Sequence, residues 1–257
     1  MRRALIADIH GNSVALEAVL RDCETQSVDD VVCLGDMIGF LSDQISCVDR
    51  VRDSCAWSLA GDHEARLFMD DTEWNPKVKI SIAEQRKILK PSWYSAPDKR
   101  ARWKWLQALH PKRVHTGATF VHGSPRDPVF EFALPSEFLS DFGPSKKTVG
   151  IFEHFEGLCF AAHTHIPGIA TCAEKWQRPP DFGMTYGLNA GAKTFVNVGS
   201  VGQPRDGDPR SCYAIWDDAQ ATVEFRRVEY DIAKVKQRFS NRPDVNERDI
   251  QRLEVGH

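Results

Sequence analysis

The run Ala4-Leu5-Ile6-Ala7-Asp8-Ile9-His10-Gly11-Asn12 constrains the chain more than any other stretch. Small and apolar residues lead straight into an acid, an apolar residue and a histidine. Side chains two apart on a strand point to the same side, so Asp8 and His10 are expected to converge beyond a sheet edge. Gly11 and Asn12 let the backbone turn, and Ser13 is placed to cap a helix over Val14 to Cys23. The arrangement recurs. Val31-Val32-Cys33-Leu34 precedes Gly35-Asp36 and a helix over Asp43 to Asp53. Trp57-Ser58-Leu59-Ala60 precedes Gly61-Asp62-His63-Glu64. Three strands in succession thus end in an Asp, each followed by helix-compatible sequence. This is a βαβαβ pattern with parallel strands and right-handed crossovers. Ligands of such sheets bind at the carboxyl ends of the strands.

Further along, the pattern resumes with histidines at the strand ends. Ala118 to Val121 runs into His122-Gly123-Ser124-Pro125. After a helix over Lys146 to Phe155, Leu158 to Ala162 runs into His163-Thr164-His165. Thr194 to Val198 leads into Gly199-Ser200-Val201-Gly202-Gln203-Pro204-Arg205, and Cys212 to Trp216 with Thr222 to Val228 reads as a hairpin. Residues 65–112 differ: tryptophans and lysines are frequent and no strand stands out. Ile80 to Leu89 and Lys99 to Leu109 suit helices. The segment reads either as a helical insertion capping one side of the site or as surface helices completing the layers. The tail, about 231–254, reads as two short amphipathic helices split near Pro243. A length of 257 residues suits one domain, 1–257, carrying such an insertion.

Charge and composition exclude several classes. The net charge is −3 and no long Lys/Arg run occurs, so no nucleic-acid-binding module is indicated. No apolar run reaches membrane-span length. Met1-Arg2-Arg3 passes directly into a strand pattern, unlike a signal peptide. The seven cysteines are scattered, odd in number and without a CxxC pair. Cys23, Cys33, Cys159 and Cys212 fall within helix or strand patterns as reduced core residues, so the cytoplasm is the expected compartment.

Seven candidate ligands stand at strand ends: Asp8, His10, Asp36, Asp62, His122, His163 and His165. Imidazole with carboxylate suits zinc, manganese or iron better than calcium or magnesium. Seven donors exceed one tetrahedral ion and suit two ions sharing a carboxylate. Two such ions about 3.5–4 Å apart clamp a phosphoryl centre and lower the pKa of a bridging water.

Taken together these blocks resemble the calcineurin-like metallophosphoesterases, over nearly the whole chain. The family pattern is DxH, GD, GNH, H and GHxH. Here it stands as Asp8-Ile9-His10, Gly35-Asp36, Gly61-Asp62-His63, His122-Gly123-Ser124-Pro125 and Ala162-His163-Thr164-His165. The small prokaryotic members are the most similar subgroup, sharing the Gly-Asn after the first His, the His-Gly-Ser-Pro exit and the Gly-Ser-Val-Gly-Gln-Pro-Arg stretch. The resemblance implies an α/β fold, a four-layer αββα sandwich with a dimetal site at one sheet edge. It assigns Asp8, His10, His165 and a bridging Asp36 to one ion. Asp36, Asp62, His122 and His163 go to the other. His63 would face the substrate and protonate the leaving oxygen or hydrogen-bond a phosphoryl oxygen. Asn12, Arg126 and Arg205 are candidate phosphate contacts.

Two residues depart from the family pattern. Asp62 stands where the family has Asn and adds a negative charge where phosphate oxygens approach. Ala162 replaces a Gly, a small change unless that position needs a positive φ. The expected activity is metal-dependent hydrolysis of a phosphodiester or nucleotide-type phosphoester, since a diester carries less charge toward Asp62. Gly35-Asp36-Met37-Ile38-Gly39 lacks the Arg that follows this block in Ser/Thr protein phosphatases, which argues against that activity. The alternative is a metal-binding regulatory or scaffold protein whose turnover Asp62 has weakened.

Overall fold

The computed structural model describes every residue except 73, 139–142, 173–174 and 240–246. The chain begins β1 (Arg2–Ile6), α1 (Ser13–Thr25), β2 (Asp30–Cys33), α2 (Gln44–Ser54), β3 (Trp57–Ser58). Helices α3 (Asp62–Arg66), α4 (Pro76–Leu89) and α5 (Pro97–Gln107) follow. Next come β4 (Lys112–His115), β5 (Ala118–Val121), α6 (Pro135–Phe138), α7 (Lys146–Glu153), β6 (Leu158–Ala161) and β7 (Gly168–Thr171). A 3-10 turn at Pro179–Phe182 leads to β8 (Thr185–Gly187) and β9 (Thr194–Asn197). The hairpin of β10 (Ser211–Asp217) and β11 (Thr222–Val228) is followed by α8 (Ile232–Phe239) and α9 (Glu247–Arg252).

Two mixed sheets result, ordered β3-β2-β1-β10-β11-β8 and β4-β5-β6-β9-β7. The first three strands pair in parallel, as do β5, β6 and β9. Period-two alternation explains the layers. In β1, Leu5 faces the partner sheet while Ala4 and Ile6 face helices. In β5 and β6, Phe120 and Phe160 point inward and Val121, Cys159 and Ala161 outward. Strands buried on both faces lose the polar alternation and read as apolar runs. That is why these were legible. Between the sheets Phe120, Phe160 and Val196 meet Leu5, Val32, Leu34 and Trp216. Each buried ring or branched side chain contributes about 2 kcal/mol of transfer free energy. Helices α1, α2, α4 and α5 cover the first sheet's outer face, and α6 and α7 the second's. This is the αββα sandwich expected from the resemblance.

Local readings differ in places. Asn12, not Ser13, caps α1: its Oδ1 accepts the Ala15 N–H at 3.1 Å, while Ser13 Oγ donates to Asp43. Strand β4 starts where the helical segment was expected to end. It is an edge strand with Arg113 and Val114 exposed, so no buried face marks its sequence. β7 and β8, Gly-Ile-Ala-Thr and Thr-Tyr-Gly, carry no apolar run, so neither stands out in the sequence. Helices α8 and α9 set Val235, Phe239, Ile250 and Leu253 against Val14 and Leu41, and Arg238 pairs with Asp43 at 2.9 Å. Pro243 lies outside the described residues. Among them, no helix is long and apolar enough to cross a membrane.

Arg3 is 1% exposed in the inner layer. Its Nε and Nη2 donate to the Asp30 carboxylate at 2.7 and 2.8 Å, beneath the rings of Trp57 and Phe120. Removing one partner of such a pair strands the other. Arg3→Met is expected to lower unfolding stability by about 3 kcal/mol, read as a lower urea midpoint with an unchanged slope; a shift under a quarter of that would show Asp30 is satisfied without it.

Candidate metal centre

Asp8 and His10 converge by a different route from strand alternation. β1 ends at Ile6, and both residues take left-handed backbone, with φ of 52° and 50°. Asp36, His163 and His165 do the same, at 54°, 67° and 61°. Non-glycine residues rarely hold this conformation, and it costs about 1 kcal/mol or more each. Here the loops are zipped to one another. Asp8 N–H donates to the Gly35 carbonyl, Ile9 and His10 N–H to that of Asp36, and Gly11 N–H to that of Met37. The stretch from Gly199 to Arg205 clamps the first loop from the other sheet. Ser200 Oγ and Gly202 N–H both donate to the Asp8 carbonyl, at 2.8 and 2.9 Å. A Cβ at Gly202 would collide with the Ile9 carbonyl, so glycine permits that approach. Ala162 has no positive φ; the next residue, His163, takes it, so the extra methyl is tolerated.

The donor atoms fall into two clusters. Asp8, His10 and His165 form one, and Asp36, Asp62, His122 and His163 the other; His63 also comes within reach of His10 and Asp36. Asp36 Oδ2 lies between them, 3.6 Å from His10 Nε2 and 3.5 Å from His122 Nε2. Asp8 Oδ1 is 3.7 Å from His165 Nε2 and 3.9 Å from His10 Nε2, buried and without a hydrogen-bond partner. The histidine tautomers follow from their outer nitrogens. His10 Nδ1 sits 3.1 Å from the Ile38 carbonyl and His165 Nδ1 2.6 Å from that of Gln203. A carbonyl only accepts, so each Nδ1 carries the proton and each Nε2 presents a lone pair. Those two Nε2 atoms are 3.0 Å apart. His122 also sets Nδ1 on the Leu34 carbonyl, with Nε2 3.1 Å from His163 Nδ1, but the acids around it favour its protonated form. Lone pairs facing each other in a buried site, backed by backbone carbonyls, are the donor set of a metal-binding site. The residues present therefore fit transition-metal ions.

Titration behaviour agrees with this. Burial pushes His10 and His165 well down, with His165 and Arg205 respectively the strongest neighbouring contributions. Burial and His122 bring His163 to about 3. All three keep free lone pairs at neutral pH. His122 is the exception: burial opposes its charge, but Asp36 and then Asp8 and Glu64 raise it to about 9. Burial raises Asp8 to about 7, whereas His122 and His63 hold Asp36 well below the usual carboxylate range against the cost of burial. A cation bound at His122 displaces a proton.

Glu64 is a site residue that the sequence reading passed over. Wholly buried, its carboxylate accepts N–H bonds from Asp36 and Gly61 on one oxygen and Met37 and Ile38 on the other, at 2.8–3.1 Å. It therefore shapes the loop that carries Asp36. The local signal was there: Glu three residues after a helix N-cap. Gln85 on α4 had no such signal. Its Nε2 lies 3.0 Å from His63 Nδ1 across 22 residues of sequence. His63 itself lines the cleft, and its N–H donates to Asp36 Oδ1 at 3.0 Å. A side chain at Gly39 would strike His10 and His63, and φ there is +140°.

The open space is small, about 100 Å³, lined by His10, Asp36, Asp62, His63, His163 and His165 with Phe40, Phe132 and Arg205. Phe40 lies 4.6 Å from the His10 ring and Phe132 stacks on His163 at 3.9 Å. Arg205 is held by Gln203 Oε1 at 2.7 Å and lies over Phe40. Two other expected phosphate contacts are not brought there. Asn12 is wholly buried, with its amide given to Ala15 N–H and the Gly202 carbonyl. Arg126 does not line the cleft; its guanidinium binds Glu131 at 2.6 Å within the loop after His122.

The acids and histidines gathered at the carboxyl edge of the paired sheets form groups that could hold metal ions. A family profile described as calcineurin-like phosphoesterase matches residues 1–167. An uncharacterized protein of Methanocaldococcus jannaschii is 30% identical over 244 residues, 92% of this chain and 90% of its own. A metallophosphoesterase from Sphaerobacter thermophilus superimposes over 100% of this chain and 99% of its own, with 31% identity and a TM-score of 0.82. A hypothetical protein from Pyrococcus horikoshii shares the fold, with a TM-score of 0.71 at 19% identity, covering 100% of this chain and 98% of its own. The chain belongs to the calcineurin-like phosphoesterase family.

Two substitutions probe the centre. Asp36→Ala is expected to lose both ions together, because one oxygen faces both clusters; elemental analysis finding two ions at wild-type affinity would rule out the shared ligand. Glu64→Gln keeps the side chain's size but replaces one acceptor oxygen by a donor among four N–H groups. It should cost about 2–3 kcal/mol in the metal-free protein and weaken metal binding through the displaced Asp36 loop. A variant equal to wild type in both thermal unfolding and metal titration would show that the loop holds itself.

Proposed function

We propose that this chain hydrolyses a phosphodiester or nucleotide-type phosphoester, using two ions of manganese, iron or zinc held by Asp8, His10, Asp36, Asp62, His122, His163 and His165. The observation that carries the reading is the pair of facing imidazole Nε2 atoms of His10 and His165, 3.0 Å apart beside the unpartnered Asp8 Oδ1. When bound, such ions polarise phosphoryl oxygens and make hydroxide available near neutral pH. The chain's own residues do the rest. With Gln85 Nε2 3.0 Å from Nδ1, His63 Nε2 is the ring atom left to donate to a leaving oxygen. Arg205 supplies a fixed positive charge at the cleft wall for a phosphoryl oxygen.

The shape of the cleft supports the substrate class. About 100 Å³ is well below a typical small-molecule pocket, so it admits a phosphoryl group with the rest of the substrate outside. Phe40 and Phe132 stand beside it, and Phe132 is 44% exposed. Such rings offer stacking faces to a base. The absence of Arg in Gly35 to Gly39 keeps protein phosphatase activity the less favoured reading.

The test is turnover of bis-p-nitrophenyl phosphate, p-nitrophenyl phosphate and a panel of nucleotide esters across added manganese, iron and zinc. Diesters and nucleotides are expected to lead. Full metal loading with no turnover on any of them would favour the regulatory or scaffold alternative. His63→Ala should keep its metal content and lose two to four orders of magnitude in rate. Loss of metal from this variant would make His63 a ligand instead.

A further inference from the structure

Asp62 divides its carboxylate between two jobs. Oδ1 faces the second cluster, 3.3 Å from His163 Nδ1 and 3.7 Å from His122 Nε2. Oδ2 is taken by Nη1 of Arg66, four residues on in α3. Residues at that spacing lie on one helix face. The pair is largely enclosed, with side chains 7% and 25% exposed. The guanidinium is flanked by the rings of Phe130 and Trp74, at 5.2 and 5.9 Å, which hold it over the carboxylate.

We propose that Arg66 is the positioning residue that makes Asp62 behave as a neutral ligand. An amide at this place would present one oxygen inward and carry no charge. Asp62 with Arg66 does the same: one oxygen remains for a cation, and the net charge of the pair is zero. The guanidinium also keeps Oδ2 from turning inward as a second donor. The two clusters together then carry the effective charge of two carboxylates, Asp8 and Asp36, and an incoming phosphoryl group does not meet a third. The proposal rests on the phosphoester reading for its consequence, but the coupling between the two side chains stands apart from it.

The experiment is a double-mutant cycle in the full chain: wild type, Asp62→Asn, Arg66→Met and the double variant, with Arg66→Lys alongside. Two ligands are titrated, Mn²⁺ alone and inorganic phosphate on the Mn²⁺-loaded protein. Removing Arg66 exposes a full negative charge to the site. Arg66→Met should therefore bind Mn²⁺ several-fold more tightly and phosphate about tenfold more weakly, the effect of about 1.4 kcal/mol. The double variant should return both constants to within about threefold of wild type, and Arg66→Lys should fall between. Opposite signs for the two ligands distinguish this from simple structural damage, which would weaken both. Additive effects, or an Arg66→Met protein within twofold of wild type on both ligands, would overturn the proposal. If wild type binds none of Mn²⁺, Fe²⁺ and Zn²⁺, the functional reading fails. The same cycle read by thermal unfolding of the metal-free proteins then decides the pair: coupling supports it, and additivity overturns it.

Discussion

Two imidazole nitrogens that meet lone pair to lone pair in a buried site need a positive charge between them. His10 and His165 meet in this way, and the carbonyls of Ile38 and Gln203 prevent either ring from turning its proton inward. Much of the surrounding architecture follows from holding that contact. The two rings come from different sheets, so the sandwich must bring the end of β1 and the end of β6 to one edge. The inner layer of Leu5, Val32, Phe120, Phe160 and Val196 fixes the distance between those edges.

The loops at that edge carry backbone strain. Asp8, His10, Asp36, His163 and His165 all have positive φ. Each is constrained by hydrogen bonds from neighbouring loops rather than by its own preference. Glu64 secures the Asp36 loop, since one buried carboxylate collects four N–H groups from two segments, residues 36–38 and Gly61. The stretch from Gly199 to Arg205 does the corresponding work for Asp8 and His165. Strain of this kind persists only where the surroundings over-determine it.

Charge is arranged with similar economy. Three carboxylates and four imidazoles lie in the two clusters, and Arg66 and Arg205 approach from opposite partners: one on Asp62, one on the Gln203 loop. Arg66 bears on the reading of Asp62 as a departure from the family pattern. Taken residue by residue, an acid in place of an amide makes the site more negative. Taken with its helical neighbour, the charge is offset. The case for a diester then rests more on the narrow cleft and its two phenylalanines than on repulsion by Asp62.

The sequence by itself determined the sandwich's buried strands and the chemical identity of the donors. Both are recorded locally: strands buried on two faces read as apolar runs, and an acid or histidine at the end of each run announces itself. The family resemblance of the five blocks added the grouping of ligands. Only the tertiary structure decided how those donors converge. Asp8 and His10 meet through left-handed backbone, which no residue type at these positions advertises, and not through strand alternation. It also withdrew Asn12 and Arg126 from the cleft. Their partners, the Gly202 carbonyl and Glu131, compete for the same polar atoms that a phosphate would use. Gln85 reached His63 only because α4 folds back over 22 residues. A side-chain contact between distant segments depends on packing, and packing leaves no periodic mark on either segment alone.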